Sequence, residues 1–251
     1  MIKKRLIVSL ILKDGMVVQT LKFKHTNIIH RDPAVAVEHF NKWAIDELLV
    51  IDVSRNMENR QKFLDAVERL SEFCFVPLTV GGWITSLDDI RDLLLIGADK
   101  VCINTYAFNN PSFITEAAEK FGSQCIVASI DAKKNGDEHF VHIDRAREDT
   151  GCNVVDWAKK AVDLGAGEIL LSSIDNDGNR QGYDLDLMKK VVNAVNVPVI
   201  AFGGVQQWEH LVEGVQQANV DAVAAANVFH YVDNSARKAK IFMQENNIPV
   251  R

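Results

Sequence analysis

The residues best placed for chemistry are carboxylates that close short apolar runs. Asp52 closes ELLVID, Asp131 closes IVASID, and Asp177 follows EILLSSIDN. If these runs are parallel strands, each carboxylate lies where a loop opens and suits general acid or base work; its alternative role is to cap the next helix or fix a loop. Gly81-Gly82 and Gly203-Gly204 follow two further runs, where missing side chains let backbone N–H groups approach an anion. Asn104-Thr105 and Ala226-Asn227 follow two more, opening helices whose N-termini favour phosphate. Two such sets suggest a ligand with phosphate at both ends, the alternative being that the glycines only turn the chain tightly.

The elements that must carry these groups alternate along the whole chain. Strand-like runs cover 6–12, 47–53, 76–80, 100–104, 125–131, 168–173, 198–202 and 222–226. Between and after them, 34–43, 61–73, 87–96, 111–121, 155–164, 186–194, 208–217 and 236–246 show apolar residues at helical spacing. Eight strands each followed by a helix, in 251 residues with no linker, predict one (β/α)₈ TIM barrel domain spanning 1–251. The rival, an open doubly wound sheet, lacks the G-x-G-x-x-G turn after its first strand.

The two halves resemble each other at an offset of about 120 residues, which predicts an internal two-fold half-barrel repeat. Ser9 to Lys13 aligns with Ser129 to Lys133, and Glu47-Leu48-Leu49 with Glu168-Ile169-Leu170. Val76-Pro77 before Gly81-Gly82 aligns with Val197-Pro198 before Gly203-Gly204, and Ala98 to Val101 with Val220 to Val223. Asp131 therefore has Ile11 as its mate. Isoleucine cannot exchange protons, so the sequence predicts no mechanism with two opposed carboxylates.

Composition narrows the partners. Net charge is −6, from 28 basic and 34 acidic residues, which disfavours nucleic acid. The four cysteines, Cys74, Cys102, Cys125 and Cys152, are too scattered for a zinc knuckle or redox pair, so no metal or cofactor is expected. No window of ~18 apolar residues predicts a membrane span, and the basic start runs into Lys13-Asp14 without a cleavage site. A cytoplasmic location is expected.

Several ordered motifs resemble one family. VPLTVGG, GADKV-INT, FGSQCIV-SIDAK, GAGEILL-SIDNDG-GYD, PVIA-GG and VFH are similar to HisF, the cyclase barrel of imidazole glycerol phosphate synthase, over essentially the whole chain. The resemblance implies a HisH-like glutaminase partner in a heterodimer. It also implies ammonia passing through the barrel, and a lyase-type cyclase reaction on a bisphosphorylated substrate by two aspartates. One of these corresponds to Asp131 and the other to Ile11. It implies a phosphate-binding set of Gly82, Asn104, Thr105, Gly178, Gly203, Gly204, Ala226 and Asn227. A family glycine corresponds to Trp83, a loop lysine to Gln19, a threonine to Asn179 and a serine to Asn227.

By the same resemblance, Arg5, Glu47, Lys100 and Glu168 match a salt-bridged ammonia gate, and Asp99 and Gln124 match residues at the glutaminase contact. An entrance kept while the catalytic face has changed is similar to the WbuZ-type paralogues of surface-polysaccharide clusters, as is the segment 10–25 with Lys22 and Lys24. Those barrels are thought to supply ammonia to a separate sugar amidotransferase making lipopolysaccharide or related glycans. The expected function is thus ammonia reception for sugar amidation. The alternatives are a working cyclase of histidine biosynthesis and a non-catalytic scaffold that activates the glutaminase.

Overall fold

The computed structural model describes residues 3–21, 25–42, 45–229 and 235–251. Trp43, Lys22, Lys24 and His230, each part of a segment or motif read above, lie outside them.

The first half runs β1 (Arg5–Lys13), β2 (Met16–Leu21), β3 (His25–His30), α1 (Pro33–Lys42), β4 (Glu47–Asp52), α2 (Arg60–Ser71), β5 (Leu78–Gly81), α3 (Leu87–Leu95), β6 (Lys100–Ile103), α4 (Thr105–Asn109) and α5 (Ser112–Phe121). The second runs β7 (Ile126–Asn135), β8 (Glu138–Ile143), β9 (Glu148–Asn153), α6 (Val154–Asp163), β10 (Glu168–Ser173), α7 (Leu185–Val192), β11 (Val199–Phe202), α8 (Trp208–Ala218), β12 (Ala222–Ala225) and α9 (Ser235–Glu245). The strands β1, β4, β5, β6, β7, β10, β11 and β12 pair in parallel, each with the next, and β12 returns to β1. That closes an eight-stranded (β/α)₈ barrel.

Strands buried on both faces are mostly apolar, and β10 is buried from end to end, with Ile169, Leu170 and Leu171 between the buried Glu168 and the two buried serines. Their alternation sorts two cores. Leu6, Val8, Leu10 and Leu12 of β1 pack outward under the helices. Ile7 and Ile11 point into the barrel with Leu49, Val127, Leu170 and Ile200. Helices cover the outer core with one stripe each: α2 buries Phe63, Ala66, Val67 and Leu70, the i, i+3, i+4, i+7 positions. Starts are set by caps, with the Ser86 hydroxyl accepting from Asp89 N and the Asp184 carboxylate from Leu187 N.

Two antiparallel ribbons were not foreseen. β1 overshoots the barrel and folds back on β2, pairing Ile11 with Val18. β7 does the same with β8, pairing Asp131 with His142. The overshoots fall at equivalent places in the two halves, so the repeat seen in the sequence has a structural counterpart at the mouth. The turns are Asp14-Gly15, both at positive φ (54° and 78°), and Gly136-Asp137, with Gly136 at 63°. These are the residues that tight hairpins demand. The run read as ending at Asp131 therefore continues to Asn135. Asn227 opens a 3₁₀ turn, Asn227–Phe229, rather than a helix, whereas Thr105 does open one, the short α4.

Candidate functional site

The C-terminal ends of the barrel strands enclose two adjoining cavities, of 350 and 180 Å³. Ile11, Thr20, Asp177 and Phe202 line both. The larger holds Asp52, Gly82, Trp83, Asn104, Thr105 and Asp131. The smaller holds Gly178, Gly203, Gly204, Ala226, Asn227 and Gln19. The fold thus gathers these mouth residues into one bipartite opening, whereas Asn179 lines neither cavity and its amide donates to the Asp175 carbonyl.

Asp131 projects inward from β7 and is buried. Burial pushes its carboxyl up to about 7, the nearby Asp177 charge adds to that rise, and hydrogen bonds from Asn104 and Ser172 oppose it. The Asn104 amide donates at 3.0 Å. Ile11, the mate of Asp131 in the half-barrel repeat, lines the same mouth and puts no carboxylate at that position. Asp177, on the loop after β10, comes close enough for its charge to act on Asp131 and accepts from the Thr20 hydroxyl at 3.3 Å. Asp177 approaches from the neighbouring strand, since β10 pairs with β7 and sets Ser172 opposite Asp131.

Asp52 is held differently. Ser54 donates to it through its backbone N–H at 2.8 Å and its hydroxyl at 3.1 Å, and the Trp83 indole N–H donates at 3.0 Å. Burial pushes its carboxyl up from the ordinary range despite these bonds. With its oxygens so occupied, Asp52 fixes a loop, the alternative role considered for it. Gly82 sits at φ 132°, and a Cβ there would come within 2.9 Å of the Asp52 Cβ, so the close approach of strands β4 and β5 requires glycine. In the smaller cavity a Cβ on Gly204 would meet the Gly182 carbonyl at 2.1 Å.

Arg145, Arg180 and Tyr106 are lining residues that the sequence did not single out. Arg145 stands on the β8–β9 turn, where Asp144, Arg145 and Ala146 take φ of 48°, 57° and 62° in succession. Three consecutive left-handed non-glycine residues are unusual backbone. The turn is held by Asp144 N donating to the Thr105 hydroxyl at 3.0 Å and by the Arg145 guanidinium donating to the Ser54 carbonyl. The only available signal was the Asn135-Gly136 hairpin turn, which places this segment over the mouth.

At the opposite end, Arg5, Glu47, Lys100 and Glu168 form a closed ring. Arg5 donates to Glu47 at 2.8 Å and also to Glu168. Lys100 meets Glu168 at 2.8 Å and Glu47 at 3.5 Å. Burial alone would favour neutral Arg5, but the two glutamates outweigh it and raise its pKa. Asp99 and Gln124 are exposed at this floor. The Asp99 carboxylate also accepts from Leu78 N at 2.8 Å, as its repeat mate Asp221 does from Val199 N at 3.1 Å. Among the described residues no group of His, Cys, Asp or Glu is placed to hold a metal ion, and no helix is long and apolar enough to cross a membrane.

A closed (β/α)₈ barrel with a bipartite mouth over an apolar lumen and a charged floor defines a barrel built to handle small ligands at its C-terminal end. Residues 5–234 match the family model described as "Histidine biosynthesis protein". The chain belongs to that family and is HisF-like.

Proposed function

We propose that this chain is the ammonia-receiving barrel of a glutamine amidotransferase pair, supplying ammonia for amidation of a surface-glycan sugar. The observation that carries this reading is the pairing of a complete floor ring, Arg5, Glu47, Lys100 and Glu168, with a mouth whose family carboxylate is Ile11. The ring would admit ammonia, and the inward core of Ile7, Leu49, Val127 and Leu170 would conduct a neutral molecule. The smaller cavity, with Arg180, Gly203, Gly204 and Asn227, is the place for phosphate on a ligand. The acceptor enzyme on this reading is a separate sugar amidotransferase.

A second reading has an observation of its own. Asp177 beside Asp131 supplies a carboxylate pair, so a cyclase of histidine biosynthesis could use Asp177 where the family uses the residue at position 11. One assay separates the two. Given the bisphosphorylated cyclase substrate and saturating ammonium, the chain should turn over at least ~100-fold more slowly than a barrel with both family aspartates, the low end of what a positioned acid–base group contributes. A rate within tenfold of such a barrel would establish the cyclase reading instead.

The glutaminase is proposed to dock on the floor. Phe75, on the loop between α2 and β5, is 83% exposed there, and Leu95 at the end of α3 is 76% exposed. Exposed apolar side chains around a charged entrance suit a partner surface. Phe75→Arg should weaken binding of a HisH-like glutaminase by more than tenfold in calorimetry. It should leave the melting temperature unchanged, since the side chain packs on little in the free barrel. Asp99 is a poorer probe because its carboxylate also holds the start of β5.

A further inference from the structure

A groove on the outer wall of the barrel, between α2 and α3, belongs to neither the mouth nor the floor ring. It has a volume of 260 Å³, with Leu64, Leu95 and Ile96 as its apolar lining and the carboxylates of Asp65, Glu68 and Asp92 beside them. On α2, Glu68 stands one turn from Leu64; on α3, Asp92 stands one turn from Leu95 and Ile96. Each wall therefore sets a negative charge next to an apolar side chain. The nearby cations are engaged elsewhere, Arg60 with Asp89, Arg69 with Asp32 and Arg91 with Asp88. Among the described residues no cation forms an ion pair with Asp65, Glu68 or Asp92.

The same chain carries the complement of this groove on α9. That helix buries Ala236, Ala239 and Met243 against the barrel and turns Arg237, Lys238 and Ile241 to solvent. Ile241 follows Arg237 by four residues and Lys238 by three, so the two cations flank one apolar side chain on a single face. Glu245 lies a turn further along it. Lys240 is held by Asp46 at 2.6 Å, but among the described residues neither Arg237 nor Lys238 has an acidic partner. Within one chain the two surfaces cannot meet. In the ring of helices α9 rests on α8 and β1, and α1 stands between it and α2.

We propose that the α2–α3 groove docks α9 of a second copy of this chain, with Ile241 on Leu64, Leu95 and Ile96 and with Arg237 and Lys238 facing Asp65, Glu68 and Asp92. Opposite charges set around an apolar contact fix both the partner and the register. The contact is heterologous, joining a helix of one copy to a groove of the next, so copies add head to tail instead of closing as a two-fold dimer. It is a small contact with exposed charges, and the association is accordingly weak and reversible. The proposal goes beyond the glutaminase partnership and does not depend on it. Leu95 belongs to this groove and also to the floor proposed for the glutaminase, so the association is measured on the chain alone.

The test is sedimentation velocity of the full chain from ~10 μM to ~1 mM, the span of weak associations. The expected result is a sedimentation coefficient that rises with concentration in the parent, with association weakened at least tenfold in both Glu68→Lys and Ile241→Asp. Both positions are exposed, so neither change disturbs the core. Glu68→Lys also makes the chain less acidic than its net −6, which lowers the general repulsion between copies, so weaker association there reports the groove itself. An equal mixture of the two variants carries the sharpest expectation. Glu68→Lys keeps an intact α9 face and Ile241→Asp keeps an intact groove, so together they should form dimers and nothing larger. A parent chain that stays monomeric throughout would overturn the proposal, as would a mixture no more associated than its parts. A glutaminase titration is a separate measurement, and either result can fail while the other stands.

Discussion

Glu168→Gln should destabilise the barrel by about 3–5 kcal/mol, the range for breaking a buried ion pair from one side. Glu168 is 4% exposed, Glu47 4% and Arg5 8%, and each cation of the ring touches both glutamates. With both glutamates the ring is electrically balanced. Glutamine keeps the volume but leaves two cations sharing Glu47, and the excess charge cannot reach much water. Arg251 adds to that excess, its guanidinium lying 3.9 Å from Glu47. Urea unfolding of parent and variant at pH 7 measures the loss. A second substitution, Arg5→Met, should recover part of it by removing the unmatched cation. A loss under 1 kcal/mol, or no recovery, would show that water reaches the ring.

Asp131→Asn should stabilise the barrel most at pH 8, by less than half as much at pH 5, and little below about pH 4. The carboxyl is raised in the fold to about 7 from an ordinary 3.8, so the folded chain holds a proton that the unfolded chain releases between those values. Stability contributed by this group is present at low pH and lost as pH rises towards 7. The full difference is about 4 kcal/mol at 1.36 kcal/mol per unit, an order-of-magnitude figure for one buried group. Asparagine carries no charge to bury and can still accept from Asn104, so the variant escapes the loss at pH 8. Thermal melts across pH 5 to 8 give the comparison, and parallel curves for parent and variant would place the Asp131 pKa near its ordinary value. Native Asp131 is then a residue kept at a cost to stability, as expected for a group retained for binding or chemistry.

Much of this was legible in the sequence because two-faced burial writes itself as short runs with an apolar centre. Glu168–Ser173, centred on Ile169, Leu170 and Leu171, was read to the residue, and the other barrel strands differed mainly at their ends. The ribbons escaped for a physical reason. Met16–Leu21 and Glu138–Ile143 hang beyond the barrel, where part of each strand meets solvent, so they read as loops between stronger signals. Their Asp14-Gly15 and Asn135-Gly136 dipeptides were the overlooked evidence. At the site, strand-end carboxylates and glycines could be placed from order alone. What each carboxylate faces could not, since the Asp177 charge acts on Asp131, and Trp83 meets Asp52, through the pairing of neighbouring strands.

The overshooting strands β1 and β7 have a consequence for how such a barrel changes over generations. Ligand walls built on ribbons outside the eight-stranded cylinder can be rewritten without repacking it. Ile11 and Arg5 lie on one strand, six residues apart, or roughly 20 Å at ~3.3 Å per residue. A unit charge gained or lost at one end acts on the other with only ~0.8 kcal/mol at an effective dielectric constant of 20, and less once salt screens it. Change at the mouth therefore proceeds almost independently of change at the floor. A lineage can rewrite the walls of its two cavities while the same ring of four charges stays in place.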